Sequence, residues 1–151
     1  MMQIGIGADH RGYRLKTNLC RFLKNTGHKV IDYGTNSEKP VDYPVIAIKL
    51  AHDIAQKRLK FGILICYTGQ GMAISANKVR GVRAAVCSEV KCAELSRAHN
   101  NANILVLPAR LVNAVKSRSI INKFIKTCFE GGRHKRRLKK IIKYENTACC
   151  V

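Results

Sequence analysis

The chain has 151 residues, 46% of them apolar, enough for one domain with a sizeable core. Glycines or charges cut every apolar run short of a membrane span, and the start MMQIGIGADH carries no basic leader, so neither a transmembrane segment nor a signal peptide is expected. Lys and Arg number 28 against 9 Asp and Glu; the net charge of +19 favours anionic partners, from phosphorylated small molecules to nucleic acid.

Residues 2–8 read as a short buried strand that ends at Asp9-His10-Arg11-Gly12. Over 13–26, Leu15, Leu19, Phe22 and Leu23 recur at helical spacing, with Gly27 as a C-cap. A second strand over 28–33 stops at Gly34, and a polar loop leads to Tyr43-Pro44. These two open a helix running to about residue 57, with Pro44 in the first turn and Val45, Ile48, Ala51, His52 and Ala55 on its expected inner face. FGILI, residues 61–65, is a continuously apolar third strand, followed by the glycine loop and a short helix over 72–78. A fourth strand (82–86), a helix capped by Ser88 and running to about Ala98, and a fifth strand (103–107) come next. Residues 112–129 read as a helix that Gly131-Gly132 breaks, and a strongly basic helix over 134–144 completes the chain.

Strands alternating with helices at this spacing predict an α/β fold: one doubly wound, Rossmann-like domain over 1–151, its five-stranded parallel sheet covered on both faces. Ligands of such sheets bind outside the carboxyl ends of the strands. Three chemically loaded groups are expected there: Asp9-His10, Cys66 to Thr68, and His99-Asn100 just ahead of strand five.

The loop ICYTGQGM, residues 65–72, admits three readings: a phosphate cradle, a reactive cysteine, or a plain turn. Gly69-Gln70-Gly71 lacks the third glycine of a dinucleotide fingerprint and the Lys-Ser/Thr of a P-loop. Free amides at a helix start can still bind an anion or oxyanion. Cys66 stands where a helix dipole can lower a thiol pKa, whereas Cys20, Cys87, Cys92 and Cys128 read as structural thiols. An odd seven cysteines without CxxC spacing fit a reducing, cytoplasmic setting; Cys149 and Cys150 read as a frayed tail. In GGRHKRRLKK, Arg133 and Arg137 share a helix face at i, i+4 and could grip one phosphate, while Arg136, Lys139 and Lys140 read as a solvated face. No aromatic residues interleave with that run, which argues against a stacking platform for nucleic acid.

The segments GADHRGYRLK, VDYP, CYTGQGMAISANK, GVRAAVC, SRAHNNANILVLPAR and FEGGRHKRR, in this order and spacing, resemble the type B ribose-5-phosphate isomerases over about residues 2–142. That sugar-phosphate isomerase family also includes galactose-6-phosphate and allose-6-phosphate isomerases. The resemblance implies interconversion of D-ribose 5-phosphate and D-ribulose 5-phosphate, a step of the pentose phosphate pathway, through an enediolate and with no metal or organic cofactor. It makes Cys66 the base, His99 the ring-opening group, Asp9 the residue that holds a sugar hydroxyl, and Thr68 a group that orients the thiol or the reacting oxygens. Amides of Gly69, Gln70, Gly71 and Met72 would form the anion hole, with Tyr43 and Asn100 on the sugar. His10 and Arg110 would hold the phosphate together with Arg133 and Arg137. In the family those two arginines come from a neighbouring subunit, so the resemblance implies shared sites in a homodimer or tetramer, with the basic helix of about 130–144 at the interface.

The family loop commonly reads Cys-Gly-Thr-Gly, where this chain has Tyr67, and Gln70 stands where an apolar residue is frequent. A position requiring φ > 0 would strain Tyr67; otherwise its ring narrows the sugar pocket. A six-carbon sugar phosphate is the nearest alternative substrate, and a basic nucleic-acid-binding module is the rival from another class. That module would account for the charge but not for Asp9, Cys66 and His99.

Overall fold

The computed structural model describes residues 1–147, so Cys149 and Cys150 lie outside the described residues. Strands and helices alternate as β1 (Gln3–Ala8), α1 (Tyr13–Asn25), β2 (Lys29–Asp32), α2 (Tyr43–Ala55), β3 (Phe61–Cys66), α3 (Gln70–Asn77), β4 (Ala84–Val86), α4 (Val90–Asn100), β5 (Ile104–Pro108), α5 (Ala114–Lys126) and α6 (Gly132–Thr147). The strands form one sheet in the order β2-β1-β3-β5-β4, every neighbouring pair parallel. This is the doubly wound sheet expected from the sequence. None of the described helices is long and apolar enough to cross a membrane.

Alternation along the strands splits the core into two layers. Ile4, Ile6, Phe61, Ile63, Ile65, Leu105 and Leu107 face one side and pack with Leu19 and Leu23 of α1 and Ile120, Ile121 and Phe124 of α5. Leu64, Cys66, Ile104 and Val106 face the other and pack with Ile46, Leu50 and Ile54 of α2 and Met72, Ala73 and Ala76 of α3. Cys66 therefore belongs to the α2/α3 layer.

Two local expectations fail. The buried residues of α2 are Ile46, Ala47, Leu50, Ala51 and Ile54, whereas Val45, Ile48 and His52 are exposed. Residues 45–51 are apolar at all but one position, so they define no single stripe, and the sheet takes the face rotated by one residue. Ser88 does not cap α4 either: Glu89 occupies the N-cap in extended backbone, with no side-chain cap. At α5 the cap is Asn113, whose side chain accepts from the Lys116 N–H at 2.8 Å.

Because β1 has β2 on one side and β3 on the other, strand order reverses between β1 and β3. A crevice opens at such a switch point, outside the carboxyl ends. Asp9 follows β1 and Cys66 ends β3, so both border it. Behind β1, Lys16 is 1% exposed and its ammonium holds the Asp32 carboxylate at 2.5 and 2.6 Å. Asp32→Ala should therefore cost about 2–3 kcal/mol in chemical denaturation, somewhat below a fully buried pair because Asp32 is half exposed. Lys16→Met, which removes the buried charge as well, should cost less.

Candidate active site

The loop after β3 is shaped by its glycines. Gly69 has φ +81°, the left-handed region, and starts the turn into α3. Gly71 lies so close to the Tyr43 ring that a Cβ there would stand 2.5 Å from it. Tyr43, at the start of α2, is thereby laid against the loop. The Gly69 N–H donates to Cys66 Sγ at 3.2 Å, and the Gln70 N–H reaches Thr68 Oγ1 at 3.5 Å.

The thiol itself is buried, 5% exposed. Burial pushes its pKa up; the amides of Met72, Gly69 and Thr68 pull it down and Asp9 adds to the rise, with a net shift above the usual thiol range. This corrects the expectation of a thiol acidified by the α3 dipole: desolvation outweighs the amides. Cys87 shows what burial does without such amides, being pushed up to about 11.

Asp9 caps the turn that follows β1. Its Oδ1 accepts from the N–H groups of Arg11 and Gly12, both at 2.9 Å, which fixes the carboxylate at the crevice. His10 Nδ1 accepts from the Val41 N–H at 3.4 Å. An accepting Nδ1 leaves the proton on Nε2, so His10 presents a donor to an anion. His10 borders a cavity of about 430 Å³ lined also by Arg11, Arg14, Glu38, Tyr67 and Ala109. Arg110 follows β5, its N–H donating to the Tyr67 carbonyl at 3.0 Å, and its guanidinium lies over the Tyr67 ring, 5.5 Å from the centroid.

The remaining expected residues stand elsewhere. Helix α4 runs antiparallel to the strands it connects, so its last turn, with His99 and Asn100, lies at the amino edge of the sheet. Arg97 in that turn packs over Phe61, the first residue of β3, at 4.8 Å. Cys66 pairs with Pro108 at the far end of β5, whereas Asn103, just before that strand, meets Gly62. The two edges are therefore about 13 Å apart along the strands. His99 and Asn100 do not join Cys66 within one chain, contrary to the sequence expectation. The misreading came from chain order: His99 precedes strand five and so stands at its amino end.

At that opposite edge, His99 stacks on His134 with ring centroids 4.1 Å apart and planes 7° from parallel. Glu130 Oε2 is 3.7 Å from Nε2 of each, and its backbone N–H donates to the Ala98 carbonyl at 3.0 Å. Arg133 Nε approaches His134 Nε2 at 3.5 Å, and Arg137 follows one turn later on α6. Burial, then His99 and the neighbouring arginines, push the His134 pKa down. His99, Glu130 and His134 bring their ligand atoms within 4.8 Å of one another, the one such group among the described residues. With the rings stacked in parallel, however, the two in-plane lone pairs do not converge on one ion.

The sequence model described as Ribose/Galactose Isomerase matches residues 4–141. The chain belongs to this family. It is 41% identical to the ribose-5-phosphate isomerase B of Escherichia coli strain K12, over 96% of this chain and 97% of that one. A structure of the Clostridium thermocellum ribose-5-phosphate isomerase B superposes with a TM-score of 0.95 at 46% identity, covering 97% of this chain and 99% of that one. The Mycoplasma genitalium enzyme, solved with bound ribulose-5-phosphate, superposes with a TM-score of 0.91 at 42% identity over 95% and 96% of the two chains.

Within this ribose/galactose isomerase, Tyr67 is not strained: among the described residues, the positive-φ ones other than glycine are Lys57 and Asn101. Tyr67 stands 38% exposed in the wall of the cavity that His10 and Arg11 also line. Arg11, Glu130 and His134 escaped the sequence reading. The segment FEGGRHKRR holds Glu130 and His134 beside the two arginines, but only the fold shows that both face His99.

Proposed function

We propose that this chain interconverts D-ribose 5-phosphate and D-ribulose 5-phosphate in a site shared between two subunits. The observation that carries the reading is the Cys66 thiol at the sheet's switch point, its sulfur 3.2 Å from the Gly69 amide at the start of α3. A base next to amides aimed at developing oxygen charge is what an enediolate intermediate requires. Family membership and the ribulose-5-phosphate seen in the Mycoplasma genitalium relative agree with this substrate.

In the forward direction His99 assists ring opening by protonating the ring oxygen. The Cys66 thiolate then takes the proton from carbon 2, and the electron pair moves into the enediolate. The amides of Gly69 to Met72 and Thr68 Oγ1 stabilise the oxygens. The thiol returns the proton to carbon 1, while a hydroxyl proton passes between the two oxygens, so nothing is oxidised or reduced overall. Asp9 holds a sugar hydroxyl, and Tyr43 and Gln70 line the sugar site. His10 and Arg110 take the phosphate.

A second copy completes the site. His99, Asn100, Arg133 and Arg137 share the opposite edge of their own chain, so they serve a Cys66 only across an interface. Val45, Ile48 and Ile74 of the neighbouring helices α2 and α3 are exposed, and they supply apolar surface for such pairing. The deciding assay follows ribulose 5-phosphate formation from ribose 5-phosphate, with allose 6-phosphate as comparison. Turnover of the pentose is expected; a marked preference for the hexose, or no turnover of either, would overturn the reading.

A further inference from the structure

Arg11 and Arg110 reach the same aromatic ring from different parts of the chain. The Arg11 guanidinium lies over Tyr67 at 4.6 Å and that of Arg110 at 5.5 Å. Arg11 comes from the turn after β1 and Arg110 from the turn after β5, so Tyr67 ties together loops that flank the thiol on both sides. The backbone repeats the tie, since the Arg110 N–H donates to the Tyr67 carbonyl at 3.0 Å. Among the described residues' ion pairs, neither guanidinium has a carboxylate partner, whereas Arg14 in the same cavity wall is held by Glu38. The cavity thus offers an anion the unneutralised Arg11 with His10 beside it, and the equally unneutralised Arg110, next in the chain to the lining Ala109, shares the Tyr67 ring with Arg11.

We infer that Tyr67 is a specificity-determining, positioning residue: it holds Arg11 and Arg110 as one phosphate grip at a set reach from Cys66, so that five-carbon sugar phosphates are favoured over six-carbon ones. The inference rests on the isomerase reading above and adds Arg11 to the phosphate ligands. A ring face attracts a guanidinium while leaving its N–H edge free for an anion. Because Tyr67 adjoins Cys66 in the chain, the spacing between base and grip is set locally. A sugar one carbon longer, with its phosphate in the grip, carries its reacting carbons past the thiol.

The test compares wild type, Tyr67→Gly, Tyr67→Phe and Arg11→Ala on ribose 5-phosphate and allose 6-phosphate, alongside calorimetric titration with inorganic phosphate. Tyr67→Gly should raise KM for ribose 5-phosphate roughly tenfold with little change in kcat, and should narrow the pentose preference by a similar factor. Phosphate affinity should fall with it, and Tyr67→Phe, which keeps the ring face, should rescue all three quantities. Arg11→Ala, an exposed substitution that leaves the core untouched, should raise KM several-fold and weaken phosphate binding. An unchanged KM and preference in Tyr67→Gly would overturn the inference, as would a Tyr67→Phe variant as impaired as the glycine. Should wild type turn over neither sugar, the isomerase reading fails on its own. The grip is then judged by the phosphate titrations alone, and equal affinity in all four proteins would overturn it.

Discussion

Cys66→Ala is expected to lower turnover of ribose 5-phosphate by about 10²–10⁴-fold, the usual worth of one positioned proton-transfer group. Substrate binding should survive, because in the proposed shared site the phosphate and sugar contacts come from His10, Tyr43, Arg110 and a second subunit's edge. A pH profile separates a base from a packing residue. A base at Cys66 would act as thiolate, and burial holds the Cys66 pKa above the usual thiol range. The sign follows: the thiolate fraction grows with pH, so kcat/KM of wild type should climb through about pH 8.5 and keep rising beyond it, falling away on the acid side. Cys66→Ala should lose that rising limb along with its rate. Steady-state kinetics between neutral and alkaline pH, with thermal melts to show that both proteins stay folded, check both parts. Full activity in the alanine variant would remove the thiol from the chemistry.

That desolvation of this thiol outweighs the loop amides was not legible in the sequence. The position of Cys66 ahead of α3 is a local fact, and from it the amide contacts follow. The desolvation comes from the α2/α3 layer closing over residue 66, which includes Ile46 and Met72 and depends on which face of α2 turns inward. That face was itself misjudged, because residues 45–51 are apolar at nearly every position and offer two stripes. The sheet was a different case. Runs such as FGILI alternate with helical segments so regularly that a parallel sheet and its carboxyl edge follow from connectivity alone. Asp9, His10 and Cys66 were placed correctly at that edge for this reason. His99 was not, since a helix returning from the carboxyl edge carries its last turn to the opposite one. The stacking of His99 on His134 joins residues 35 positions apart and has no local signature at all.

That misplacement yields the sharpest test of the shared site. A mixture of Cys66→Ala and His99→Asn subunits, refolded together, should recover activity that neither variant has alone. In a heterodimer one site combines both lesions, while the other pairs an intact Cys66 with an intact His99 from the opposite subunit. Random pairing at equal ratio should therefore restore about a quarter of wild-type turnover in a twofold-symmetric dimer. Arg133→Ala or Arg137→Ala in place of His99→Asn should complement Cys66→Ala equally well, because the three residues belong to one edge. By contrast, Cys66→Ala should fail to complement Asp9→Asn, which lies at its own edge: each heterodimer site then carries one lesion. If His99 served the Cys66 of its own chain, the first mixture would behave like the last. Complementation by His99 and both arginines together with failure by Asp9 thus divides the catalytic residues into two half-sites along the 13 Å or so that β5 sets between them.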